Sequence, residues 1–479
     1  MAAAIPLYKP LTYEDVGEID QAGRYILEHV GINIRDNACL DMLGEAGAGV
    51  DRQNQTVKFK PDWLDSVLAQ SPSSFTLYSR DGRNDVHLGE GKVHFTNGGR
   101  VFHFRDGRTG QYRYTMLRHV ARTAALVDRL DYVRFYIIAC QAHTIKREVY
   151  HLNDFFHSFN NTTKHVMGGC DDLEGARQVW ELAGFIAGGE EQLRRKPCIS
   201  MIVNPISPLT MESGMLSVLR FCCTKGIPVV CDPTPMAGAT SPVTLAGTLV
   251  QMHAESLACM AISQVFAPGA KVLYGAVPTV MDMRKMDVTM GSVEMAMMNA
   301  AAVQLARLYR LPIFGTAGVT ESKTSDIQTG SEKSMSSLLV AMAGADCIHL
   351  AAGMLDSANS ISYAQYVIDN EIIGTVQRVL SGIRVNKGTL ALDVISGVGP
   401  GGNYVMEDHT VEYMRDEFFY PELAIRSSYD VWEEQGRPNM VSRAKEVVQR
   451  ILAQSKGGVL GPDLVSRIRK AFPGIQNAQ

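Results

Sequence analysis

IPVVCDPTPMAGATSPVTLAGTLVQMHAESLACMAISQVFAPGAKVLYGAV, residues 227–277, holds two short apolar runs separated by a turn and one long helical stretch. IPVVCD (227–232) and KVLYGAV (271–277) are β-branched and aromatic without polar alternation, which is how strands buried on both faces read. Between them, Ser241-Pro242 reads as a helix cap followed by proline at the first helical position, leading into a helix that ends near Phe266.

The same unit recurs outward in both directions. Six further runs, VHF (93–95), YVRFYIIA (132–139), HVMGG (165–169), CISMIVN (198–204), LPIFGTA (311–317) and CIHLAAG (347–353), each precede a turn signal and a helix-like stretch. The run starts lie roughly 30 to 45 residues apart, room for one strand, one helix and two short loops. A doubly wound open sheet uses the same alternation, but eight consecutive units favour closure into a (β/α)8 TIM barrel. Such a barrel needs about 250 residues, so a chain of 479 carries additions at both ends. The boundaries predicted are an N-terminal α+β extension over 1–90, the barrel over 91–385, and a C-terminal loop and helical extension over 386–479 that caps part of one end. In the first of these, Tyr13 to Val30 suits an amphipathic helix, and Val57, Phe59, Phe75 and Leu77 suit small strands.

Hydrophobic residues make up 46% of the chain and charged residues 20%, with a formal net charge of -4, which argues against a nucleic-acid footprint. No apolar run reaches the roughly 18 to 20 residues of a membrane span, and MAAAIPLYKP lacks the basic start and apolar core of a secretory signal. A cytoplasmic protein acting on small molecules is expected, with its nine cysteines reduced and mostly in the core.

Active sites of such barrels form at the C-terminal ends of the strands. There the chain offers Phe95, Asn97, Gly98, Gly99, Gln141, His143, Gly168, Gly169, Asn204, Asp232, Tyr274, Gly275, Thr316, Glu321 and His349. HxH, HExxH and CxxC are absent, so no metal site is expected. Lys271 opens its strand and Lys323 lies in a polar loop, which leaves no convincing Schiff-base lysine. AAGMLDS (351–357) resembles a phosphate turn only weakly. Aromatic residues remain: Phe95, Tyr274, the HLNDFFHSFNN segment (151–161), and Phe102 or Tyr363. Taken singly, each reads more readily as core than as cage, but together they suit a cationic quaternary amine, since aromatic faces attract ammonium groups. Seven methionines between Met281 and Met298 read as helix packing.

Residues 316–374, TAGVTESKTSDIQTGSEKSMSSLLVAMAGADCIHLAAGMLDSANSISYAQYVIDNEIIG, followed by GPGGNYVMEDHT (399–410) and FFYPELAIRSSYDVWEEQG (418–436), resemble the trimethylamine methyltransferase family of corrinoid-dependent methyltransferases. The resemblance spans nearly the whole chain. It implies a TIM barrel that moves a methyl group from a methylated amine to the Co(I) corrinoid of a separate corrinoid protein, with no tightly bound cofactor of its own. Archaeal trimethylamine enzymes use pyrrolysine, whereas this chain is written in the twenty standard residues, ADCIHLAAG included, and so resembles the non-pyrrolysine branch. That branch implies a quaternary amine substrate: glycine betaine first, with proline betaine, carnitine and γ-butyrobetaine as alternatives, and a non-catalytic betaine-binding protein as the reading from another class. Under this resemblance Phe95, Tyr274 and Phe156 hold the trimethylammonium end; Asn97, Arg100 and His349 take a carboxylate; Asp232 and Glu321 complement the cation. Gly98, Gly99, Gly401 and Gly402 allow close approach of a flat macrocycle. The partners expected are the cognate corrinoid protein and further copies of the chain in a homo-oligomer.

Overall fold

A computed structural model describes residues 8–107, 109–455 and 458–478. Eight parallel strands close into a barrel in chain order: β1 (His94–Asn97), β2 (Val133–Ile137), β3 (Val166–Gly168), β4 (Ile199–Val203), β5 (Val229–Cys231), β6 (Val272–Gly275), β7 (Ile313–Thr316) and β8 (Cys347–Ala352), with β8 pairing back onto β1. A helix follows each: α1 (Leu117–Asp128), α2 (Tyr150–Phe159), α3 (Leu173–Ala187), α4 (Ser213–Lys225), α5 (Leu245–Phe266), α6 (Val293–Leu308), α7 (Ile327–Ala343) and α8 (Tyr363–Leu380). All eight strands coincide with the eight apolar runs.

Alternation along each strand divides two apolar layers. Phe135, Ile137, Met167, Val230, Leu273, Phe314 and Cys347 face inward and fill the barrel. Phe95, Tyr136, Met201, Cys231, Tyr274 and Ile348 face outward into the helices. The helix α5 begins at Leu245 with Thr244 as its cap, three residues later than Ser241-Pro242 predicts. The backbone turns at Met236, whose carbonyl accepts from Ala239, Thr240 and Ser241 N–H, so that Ser241 is spent on the turn.

The N-terminal extension does two jobs. Residues 13–30 are helical and lie on α5, and Ile32–Arg35 pairs in parallel with Thr210–Glu212 in the loop after β4. A hairpin of Phe75–Leu77 with Val86–Leu88 then turns under the barrel. Phe75, Leu77, Val86 and Leu88 pack with the inward layer, while Tyr78 O meets His165 Nδ1 at 2.9 Å and Gly89 N–H donates to Asp346 Oδ1 at 2.9 Å, both at the N-terminal edges of strands. The hairpin therefore plugs the N-terminal end and leaves the C-terminal end as the mouth.

The last two helices of the C-terminal extension lie along the flank and not over an end. Its helix Met440–Gln454 packs against α8 and α1, and its last helix, Pro462–Ala471, packs against α3, forming a strap around the flank. Cys231 and Cys259 pair as a disulfide between β5 and α5, Cα atoms 6.1 Å apart, where nine reduced thiols were expected; the other seven cysteines are free thiols.

Candidate active site

Inward alternation brings a small set of polar groups to the C-terminal end of the barrel. Asp232 directly follows β5 and points inward, since Val230 faces in and Cys231 faces out. It is only 3% exposed, and its Oδ1 has no hydrogen-bond partner among the described residues. Burial alone drives its carboxyl well above the usual carboxylate range. Room for the side chain comes from Gly275 on β6, where a Cβ would stand 2.6 Å from Asp232 Oδ1. Asn204, after β4, donates to the Asp232 carbonyl at 2.9 Å and holds the turn.

His349 points inward from β8, two residues beyond Cys347, with its ring 4.4 Å from that of Phe314. Its Nε2 meets the Thr316 hydroxyl, and that hydroxyl donates to Ala276 O at 2.9 Å. Thr316 has one proton to give and the carbonyl takes it, so His349 Nε2–H is the donor to Thr316. Nδ1 then carries a lone pair that no other described residue engages. Burial pushes the imidazole down to about 3, which keeps it neutral.

Arg100 leaves β1 in the left-handed region (φ 63°) and crosses to the end of β3, where its Nη1 lies 3.8 Å from the place a Gly169 Cβ would take. Nη1 donates to Asp171 Oδ1 at 2.8 Å and Nη2 to Tyr150 Oη at 2.6 Å; Tyr150 donates in turn to Asp171 Oδ2. Burial opposes ionisation of Asp171, but Tyr150 and Arg100 hold its carboxyl below the usual range. The guanidinium is thus fixed at the rim as a cation.

Several residues named from the sequence stand elsewhere. Phe95 is buried in the outer layer, and so is Tyr274, whose hydroxyl donates to His253 Nδ1 at 2.8 Å while His253 Nε2 donates to Asp20 Oδ1 at 2.9 Å. Tyr274 therefore anchors the N-terminal helix. Phe156 lies under the last helix with Arg469 5.3 Å over its ring. Asn97 is fully buried and stitches β1 to β2: its Oδ1 accepts from Ile137 N–H at 2.9 Å and its Nδ2 donates to Ile137 O at 2.7 Å. Glu321 is a loop staple, accepting from Met290 N–H at 2.6 Å, Gly291 N–H at 2.8 Å and the Ser357 hydroxyl. Gly98 is covered by the Met354 side chain, 2.4 Å from the place of its missing Cβ, and Gly99 abuts Ile137. Both serve internal packing. Gly401 and Gly402 lie on a segment that leaves the C-terminal end of α8, where Gln377 donates to Val93 O at 2.9 Å just before β1. That segment is rooted at the plugged end, opposite the mouth. Of the residues named, Asp232 and His349 point inward at the C-terminal end of the barrel, and Arg100 stands on its rim beside Asp171 and Tyr150.

Tyr150 and Asp171 were missed, although Asp171 and Asp172 follow HVMGG by only a cysteine. Missed too was a buried pair beside the mouth: Lys333 Nζ, on α7, donates to Asp369 Oδ2 of α8 at 3.0 Å and to Gly318 O at 2.5 Å, while Asp369 also accepts from Gly353 N–H at 2.7 Å. This pair locks the loops after β7 and β8 to their helices.

The model of the trimethylamine methyltransferase (MTTB) family matches residues 1–473. The chain belongs to the trimethylamine methyltransferase family. Among curated members it is 35% identical over 439 residues to a trimethylamine methyltransferase MttB of Desulfitobacterium hafniense (strain DSM 10664 / DCB-2), covering 92% of this chain and 88% of that one. It is 30% identical over 471 residues to a glycine betaine methyltransferase of Desulfitobacterium hafniense (strain Y51), covering 98% and 97%. The solved monomethylamine methyltransferase (MtmB) of Methanosarcina barkeri superposes on this family member with a TM-score of 0.52 at 13% identity, covering 95% of this chain and 93% of that one, a likeness of fold. No helix among the described residues of this methyltransferase-family chain is long and apolar enough to cross a membrane.

Proposed function

We propose that this methyltransferase takes a methyl group from a small quaternary amine carrying a carboxylate, glycine betaine foremost, and passes it to the Co(I) corrinoid of a separate corrinoid protein. The observation that carries this reading is Asp232: a buried carboxyl inside the mouth with an oxygen that no described residue satisfies. Such an atom costs stability unless a ligand answers it, and a fixed positive charge answers it without needing a donor hydrogen. Arg100 stands at the rim as the complement for the carboxylate end, with guanidinium N–H groups beyond the two committed to Asp171 and Tyr150. His349 offers a neutral acceptor facing the same space.

The chemistry asks little more of the chain. The acceptor supplies the nucleophile; the methyl–nitrogen bond breaks, its electron pair returns to nitrogen, and a neutral tertiary amine leaves. No proton moves. The chain's own residues bind, orient and exclude water, which accords with a mouth short of acid–base pairs.

A second reading is favoured by the same oxygen: a protonated tertiary amine such as trimethylamine would donate its N–H to Asp232 Oδ1, and the more similar of the two relatives carries that substrate in its name. Incubating the protein with cob(I)alamin and a panel of glycine betaine, proline betaine, carnitine, γ-butyrobetaine and trimethylamine, and following methylcobalamin by its spectrum, separates them. Methylation from glycine betaine is expected. Methylation from trimethylamine alone would transfer the assignment, and none from any amine would overturn the reading.

A further inference from the structure

Residues 381–422 contain no buried side chain at all. The excursion is pinned at both ends to α8: Arg378 Nη1 donates to Gly382 O at 2.8 Å where it begins, and where it ends Arg378 Nη2 donates to Glu417 O at 2.9 Å and Leu423 and Ala424 N–H donate to Glu371 at 2.6 and 2.9 Å. Between the pins it forms three short helices, Lys387–Leu390, Leu392–Val398 and Asp408–Glu417, with no core of their own. Yet its outer surface is apolar. Ile383 is 86% exposed, Val385 72%, Leu392 66%, Val405 74%, Met406 88% and Val411 64%, among eleven large apolar side chains exposed between 383 and 420. Helices this short do not hold themselves in water, and side chains so placed present roughly 1,000 Å² of apolar area, the scale of one protomer's share of an obligate interface.

Charge narrows the occupant. The excursion has three basic residues, Arg384, Lys387 and Arg415, against seven acidic ones between Asp393 and Glu422. Two such arms laid on each other would repel. The complementary surface on this chain is the rim made by the loops after β1 and β2 with the adjoining face of α1, where Arg113, Lys146 and Arg147 of the loops and Arg122 of α1 are exposed and make no ion pair with a described residue, beside the exposed rings of Phe102 and Tyr114. That rim lies at the mouth, and the arm is rooted at the plugged end. A methyl acceptor must leave after each turnover, whereas an arm without a core needs permanent cover, which a second copy supplies at fixed stoichiometry.

We propose that the 381–422 arm of one copy docks on the basic, aromatic rim after β1 and β2 of another copy, so that the chain works as a closed homo-oligomer. The contact joins two different surfaces and closes as a reciprocal exchange or a ring.

The test is the solution mass of the full chain by light scattering and sedimentation, for wild type, an arm variant (Val405→Ser with Met406→Ser), a rim variant (Arg113→Glu with Arg122→Glu), and the rim variant combined with Glu412→Arg and Asp416→Arg. All substituted side chains are exposed or half-buried, and circular dichroism and the melting profile report whether each variant is folded. An oligomeric wild type, monomeric arm and rim variants, and recovery of mass in the charge-swapped combination are expected. A monomeric wild type overturns the proposal. So does an oligomer that survives the arm or the rim variant, and so does an arm variant of unchanged mass that loses methyl transfer to the corrinoid protein but not to free cob(I)alamin, which would make the acceptor the occupant.

Discussion

Asp232 and Gly275 occupy neighbouring inward positions on adjacent strands, and a Cβ on Gly275 would stand 2.6 Å from Asp232 Oδ1 and 2.1 Å from the Cys231 carbonyl. The carboxyl fits the barrel mouth because its neighbour has no side chain. Gly275→Ala is expected to push Asp232 out of place and to lower kcat/KM for the amine by about 10- to 100-fold, the scale of a misplaced binding group. Steady-state methylcobalamin formation, with a melting curve to confirm the fold, checks it.

Asp232→Asn keeps the shape and removes the charge. A buried carboxyl with an orphaned oxygen is a cost to the free protein, so the variant should melt no lower than wild type while KM for the amine rises by about tenfold or more, tenfold being about 1.4 kcal/mol. The pH dependence has a definite sign. The folded carboxyl titrates above its unfolded value, so its contribution to stability is fully present below the unfolded pKa and is lost as pH rises through the folded one. A bound cation reverses this cost, so amine affinity should strengthen as pH rises through the folded pKa. Asp232→Asn should flatten both slopes.

His349 is held neutral, with its imidazole pushed down to about 3 by burial. A depressed histidine contributes stability that is present above the unfolded value of 6.5 and is lost as pH falls through the folded one, so its effect on unfolding falls between about pH 6.5 and 3. Activity between pH 7 and 8 should carry no limb from this residue. His349→Gln, which preserves a polar neutral group, should retain more activity than His349→Ala; a pH–rate profile together with KM for both variants decides it.

Asn97 predicts a different signature. Replacing it by alanine leaves both the N–H and the carbonyl of Ile137 unpaired in a buried place, which costs about 1–3 kcal/mol per group. The loss should appear in denaturant unfolding, while KM measured on the folded fraction stays near wild type.

The pair Lys333 and Asp369 is buried on both sides, at 1% side-chain exposure each. Lys333→Met strands a carboxylate in the interior and is expected to destabilise by about 3–5 kcal/mol. Restoring part of that loss with the double variant Lys333→Met, Asp369→Asn would confirm the origin of the penalty; unfolding midpoints measure it.

The eight strands were legible because each combines an apolar run with the turn and helix that must follow. Which way their side chains point was not. Leu273 and Tyr274 are both buried, one inward and one outward, and a parallel strand covered on both faces gives no polar alternation to tell them apart. The aromatic set expected at the mouth failed on that point, with Phe95 and Tyr274 one residue out of phase. Asp232 was legible because a carboxylate at the end of an apolar strand is conspicuous whatever the phase. Glu321 and Asn97 look equally polar in the sequence, but their roles depend on backbone groups of Met290, Gly291 and Ile137 that only the folded chain brings to them. The 386–479 extension was expected to cap part of one end, while its last two helices lie along the flank, because chain order says where a segment begins and not which helices it packs on.

The hairpin bearing Phe75, Leu77, Val86 and Leu88 closes the N-terminal end of a barrel whose interior Phe135, Ile137, Met167, Val230, Leu273 and Phe314 already fill. The barrel therefore has one working face. On the proposed function the amine and its methyl acceptor must share that face, so the amine would bind before the acceptor docks over it, and the demethylated product would leave once the acceptor withdraws.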